Sequence, residues 1–129
     1  MSIRVVRLGT PRVEGEGLRL GTVRRPPRGV RKEDYAGLDY FDVWMPDLAP
    51  SAELVSWALS EPFTDQRWAR YVRSYRSEMR QVEKQRLLKL LAALSHQTDF
   101  SIGCYCEHAD RCHRSVLRDL LLEQGDDVR

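Results

Sequence analysis

Eleven consecutive residues hold most of the reactive side chains of this chain: Cys104-Tyr105-Cys106-Glu107-His108-Ala109-Asp110-Arg111-Cys112-His113-Arg114. All three cysteines of the 129-residue sequence lie here, within nine positions. An odd and tightly spaced set argues against a disulfide scaffold and for a local thiol or metal site. As metal ligands, Cys104, Cys106 and Cys112 with His108 or His113 make a four-donor set suited to zinc or another soft divalent metal, although gaps of one and five residues are not the usual two-residue knuckle. As thiol chemistry, Cys106 or Cys112 is the nucleophile, activated by His113, Arg111 and a helix end. The loop from Cys106 to Arg111 also has a superficial likeness to the anion cradle of a sulfurtransferase, but Glu107 and Asp110 would put negative charge inside it. Against these stands plain packing, with Cys104 and Cys106 as small buried apolar residues while His113 and Arg114 anchor a loop.

Each chemistry needs the residues held by regular elements. Asp99 to Cys106 reads as a central strand, on which Cys104 and Cys106 share a face and Tyr105 points away. Arg114 to Gln124 reads as a helix with Val116, Leu117, Leu120 and Leu121 inward and Gly125 as its stop. Cys112, His113 and Arg114 then occupy its first turn, where free backbone donors and the helix dipole lower a thiol pKa and favour an anion. Arg114 and Arg118 fall on one face, as a phosphate or carboxylate requires. Strand, loop and helix in this order form the unit in which α/β proteins place their sites.

Upstream, Ile3 to Leu8, Leu18 to Val23 and Asp39 to Trp44 read as strands. Arg24 to Gly29 is a basic loop, because Pro26 and Pro27 remove backbone donors and fix φ. Ser51 caps a helix beginning at Ala52. From Thr64 onward, Trp68, Tyr71, Val72, Tyr75 and Met79 line one helical face, while Arg73, Arg76 and Arg80 make a basic ridge; Val82 to Leu94 continues as helix. The aromatic stripe is more often core than a base-stacking surface, since stacking rings must be exposed.

The net charge of +2 conceals blocks of +7 over residues 1–32, −8 over 33–65, +6 over 66–91 and −3 over 92–129. Such blocks either neutralise one another across a fold or create charged faces. Eighteen of the 21 basic residues are arginine, which suits phosphates and carboxylates but also follows from a GC-rich genome. With 42% hydrophobic and 31% charged residues the chain has a globular composition; it has neither an apolar run able to span a bilayer nor a secretion signal, so the expected location is the cytoplasm with no membrane partner.

The basic loop Arg24 to Gly29 followed by Lys32-Glu33-Asp34, the segment Asp47-Leu48-Ala49-Pro50-Ser51, Trp57, the helix with Trp68 and Tyr75, and the terminal Cys112-His113-Arg114 resemble the YeaO-like bacterial family, a domain of unknown function. Val23 and Pro26 stand where many relatives carry Asp and Trp, and Cys106 stands in place of a carboxylate. The resemblance implies that Arg24, Arg28, Ser51, Cys104, Cys112, His113 and Arg114 meet in space, and Cys106 tips such a site toward a soft metal or a redox pair.

The expectation is therefore one α/β domain over residues 1–129, with a partly parallel sheet, flanking helices and a C-terminal strand-loop-helix carrying the site. The expected function is an anion-binding, thiol-based or metal-dependent site, with enzymatic activity left open. Cys106, Cys112 and His113 carry any catalysis; Arg24, Arg28, Ser51, Arg111, Arg114 and Arg118 hold an anionic or phosphate-bearing small molecule. The alternative is a non-catalytic nucleic-acid or protein-binding module that uses the arginine-rich helix.

Overall fold

Ile3, Leu20, Phe100 and Ile102 put apolar side chains on one face of three short segments, and burying that face dictates how the segments pair. In the computed structural model, which describes residues 2–106 and 111–125, they form parallel strands. The strands are β1 (Ile3–Arg7), β2 (Leu18–Gly21), β3 (Val43–Trp44) and β4 (Phe100–Cys104), in the order β1-β4-β2-β3. All the pairings are parallel. The last strand in the chain is thus central, and all five of its residues are buried. Arg7 lies opposite Cys104 and Gly21 opposite Gly103, so β1, β4 and β2 end level with one another.

Four helices follow from capping and periodicity: α1 (Ala52–Leu59), α2 (Asp65–Glu78), α3 (Val82–Ser95) and α4 (His113–Glu123). The Ser51 hydroxyl accepts the Leu54 amide at 3.2 Å, and the Thr64 hydroxyl accepts that of Arg67 at 3.1 Å, which satisfies an orphan donor at each start. Tyr71 and Tyr75 of α2 with Met79 just after it, Leu88 and Leu91 of α3, and Val116, Leu117, Leu120 and Leu121 of α4 join the strand residues in one core. The aromatic stripe of α2 is core. A smaller cluster of Leu8, Val23, Phe41, Cys104 and Cys112 sits at the carboxyl ends of the strands.

The third strand is shorter than Asp39 to Trp44. Asp39 turns to a left-handed φ of 63°, and Asp42 spends its carboxylate on Arg12 and on the Arg19 amide. Phe41 lays its ring where Gly21 has no side chain; a Cβ there would come within 2.3 Å of the ring. The chain can pair with β2 only after these turns. Among the described residues, no helix is long and apolar enough to cross a membrane.

Candidate metal and thiol centre

Cys104 closes β4, Cys106 follows two residues later, and Cys112 is the residue that precedes the first turn of α4. Gly103 lets β4 run close to its neighbours just before the first thiol: a Cβ there would lie 2.6 Å from the Val6 carbonyl oxygen. Ladder bonds continue past the strand ends, with the Leu8 amide donating to the Cys104 carbonyl at 2.8 Å and the Thr22 amide to the Gly103 carbonyl at 3.1 Å. The backbone at the end of β4 is therefore held on both sides. The three Sγ atoms lie within 4.8 Å of one another, two buried and that of Cys106 exposed.

His113 is buried, and its Nε2 lies 2.5 Å from the Thr22 carbonyl. A carbonyl only accepts, so Nε2 carries the proton and donates; a neutral ring then offers the Nδ1 lone pair. Nδ1 points at Cys112 Sγ, 3.8 Å away. Burial pushes the His113 pKa down, which keeps the ring neutral. The Tyr75 ring meets the imidazole edge-on, with centroids 5.7 Å apart, and Tyr75 is itself fixed by its hydroxyl donating to the Leu48 carbonyl at 2.6 Å.

The three thiols share charge unequally. Hydrogen bonding with Cys104 and Cys112 holds Cys106 well below the ordinary thiol range; burial works against this, and the positive charge of Arg114 supports it. Cys104 and Cys112 are pushed up, above all by acting as donors in these contacts. The cluster thus favours one thiolate, at its exposed member. Arg114, 5% exposed, donates to the Cys106 carbonyl at 3.0 Å, so its guanidinium ties α4 to the loop at that cysteine.

A hollow of about 290 Å³ opens above the thiols, with Val23, Arg24 and Arg25 on one wall and Val55, Ala58, Leu59 and Phe63 on another. Cys104, Cys106, Arg111, Cys112 and His113 all line it. Of the anion-binding residues expected from sequence, Arg24 and Arg111 reach this hollow. Arg24 directs its guanidinium to the carbonyls of Pro46, Ala49 and Pro50, and Arg111 pairs with Asp65 at 2.7 Å while lying over the Trp68 ring. Ser51 lies elsewhere, donating its hydroxyl to Glu78 at 2.6 Å while it caps α1. Arg28 lines a neighbouring hollow, and Arg118 lines neither hollow, with Asp119 3.9 Å away. His108, Glu107 and Asp110 lie outside the described residues. On the arginine-rich helix, Arg67 and Arg70 cover the Trp57 ring at 4.1 and 4.9 Å, and Arg76 pairs with Glu123 at 3.0 Å.

Two contributors escape sequence reasoning. Thr22 acts through its carbonyl, a group every residue has, and Tyr75 reads as one more member of the α2 core stripe.

A family model described as DUF488-N3a, "Active DUF488-N3 subclade", matches residues 3–125. No curated protein and no solved structure matches the chain.

Proposed function

We propose that this chain, which belongs to the DUF488-N3a family, an uncharacterised domain family, holds a soft divalent metal ion, zinc first, on Cys104, Cys106 and Cys112. The observation that carries the reading is the convergence of three thiols within 4.8 Å between the end of β4 and the start of α4. Thiolates around a tetrahedral zinc at about 2.3 Å lie roughly 3.8 Å apart, so small side-chain rotations close the set. His113 Nδ1, 3.8 Å from Cys112 Sγ but outside the 4.8 Å thiol group, would complete the set as fourth donor by closing on the ion, and the Thr22 carbonyl on Nε2 is the outer partner that orients such an imidazole. Cys112-His113-Arg114 supplies two of these ligands and the arginine that braces the third. Free thiol ligands suit a reducing compartment, which agrees with a cytoplasmic location.

Cobalt(II) titration of metal-free, reduced protein tests this. One equivalent is expected to give thiolate-to-metal charge transfer and intense visible bands of tetrahedral cobalt; Cys104→Ser and Cys112→Ser should lose them. Absence of stoichiometric uptake, with all three thiols still freely reactive in the presence of metal, would refute the assignment.

Thiol chemistry is the second reading, and it draws on a separate observation: of the three cysteines Cys106 alone is exposed. Its mark would be Cys106 reactivity that persists in protein saturated with zinc.

A further inference from the structure

The carboxyl ends of the strands open onto a second hollow, of about 830 Å³, beside the thiol centre. Arg7, Arg25 and Arg28 line it, together with Thr10 and the rings of Tyr40 and Tyr105. Among the described residues no carboxylate lines it, and the guanidiniums of Arg25 and Arg28 have no hydrogen bond or ion pair there. Arg24, by contrast, has its guanidinium on backbone carbonyls. The free pair is also well presented. Pro26 and Pro27 stiffen the backbone between them, and the Tyr105 hydroxyl donates to the Arg25 carbonyl at 3.0 Å. The Tyr40 and Tyr105 rings meet edge-on at 6.1 Å and form one wall.

We infer that this hollow is a phosphate subsite, and that the ligand is a small organic phosphate whose phosphate rests on Arg25 and Arg28. Planar guanidinium forks match phosphate oxygens in pairs, and the crevice beyond the carboxyl ends of parallel strands is where α/β folds bind such groups. Tyr105 and Arg25 line both hollows. A ligand anchored by its phosphate therefore extends its organic part over Tyr105 to the thiols, between Val55, Ala58 and Phe63. That reach rests on the cysteine centre being the reactive site; the phosphate subsite itself does not.

Calorimetric titration with phenyl phosphate, inorganic phosphate and phenol tests the inference. Phenyl phosphate should bind tightest, and Arg25→Gln/Arg28→Gln should weaken it by about tenfold or more, while Arg73→Gln, exposed on α2, should not. Equal affinity in all three proteins, or equal loss in Arg73→Gln, would overturn the subsite. So would preferential binding of single-stranded RNA with losses spread over Arg73, Arg76 and Arg80, which would mark a nucleic-acid track instead. Bound phenyl phosphate should also slow alkylation of Cys106, and no protection would overturn the reach to the thiols. Cobalt uptake by the same variants separates the two readings. Arginine-dependent binding in a wild type that takes up no metal would remove the metal centre alone, whereas metal uptake with arginine-independent binding would remove the subsite alone.

Discussion

At the scale of single residues, burial sorts three chemically identical thiols. Cys104 and Cys112 are 1% and 2% exposed, whereas Cys106 faces solvent. In metal-free protein Cys106 is therefore expected to react with iodoacetamide first, and zinc should protect it; peptide mass mapping after partial labelling reads this directly. Equal labelling of all three would mean that the strand end opens in solution. The spacing of the cysteines announced the cluster, but not this ranking. Cys104 and Cys106 were expected to share a strand face, and β4 ends at Cys104, so Cys106 reaches the cluster from the loop. Which nitrogen of His113 faces the sulfurs was likewise illegible, because the Thr22 carbonyl that decides it lies 91 residues away. Replacing His113 with Ala should weaken metal binding by at least about tenfold, the scale on which ligand-orienting groups already act, and competition with a chromogenic chelator measures it.

Among the elements, the apolar alternation in β1 and β4 and the caps at Ser51 and Thr64 placed strands and helices close to where they lie, because periodicity and capping are local properties. The covering of the second sheet face was not local and was not legible. It depends on Arg19, 1% exposed, whose guanidinium holds Glu16 and donates to the carbonyls of Thr10, Pro11 and Asp39, so one β2 side chain fastens two loops. Arg19→Met strands a buried carboxylate and should cost about 3–5 kcal/mol in urea unfolding. Adding Glu16→Leu removes that charge but leaves the three carbonyls short, so recovery should be partial, with about 1–3 kcal/mol still missing. Full recovery would show that Arg19 serves only as a counter-ion. Burial raises the Glu16 pKa, but the Arg19 hydrogen bond, the Val13 amide and the Arg19 charge outweigh it, and the folded value lies below the ordinary one of 4.5. A depressed carboxylate stabilises the fold above its unfolded pKa and loses that contribution as pH falls through the folded one. Acid unfolding of Glu16→Gln should accordingly show a shallower dependence on pH below about 4.5, where the wild type weakens.

Across the whole molecule, some members of the charge blocks meet their opposites: Arg12 of the first holds Asp39 and Asp42 of the second, and Arg67 of the third pairs with Glu61. Arg25 and Arg28 take no part in such pairs and line one hollow together, which sets the proposed phosphate subsite apart from cations scattered singly over the surface. The thiol centre has a wider mechanical role. It joins the end of β4 to the start of α4, and through His113 and Thr22 it also reaches the exit of β2. Because Val116, Leu117, Leu120 and Leu121 of α4 pack into the main core, these parts cannot separate without opening that core. Metal bound only by the folded state should then stabilise the entire chain, by about 2.7 kcal/mol at a hundredfold excess over Kd. A thermal melt with and without zinc should show a higher Tm for wild type and no shift for Cys112→Ser. Hydrogen exchange should slow along β4 and α4 together. Slower exchange confined to the residues beside the thiols, at unchanged Tm, would mean instead that the centre is an appendage on a fold that does not need it.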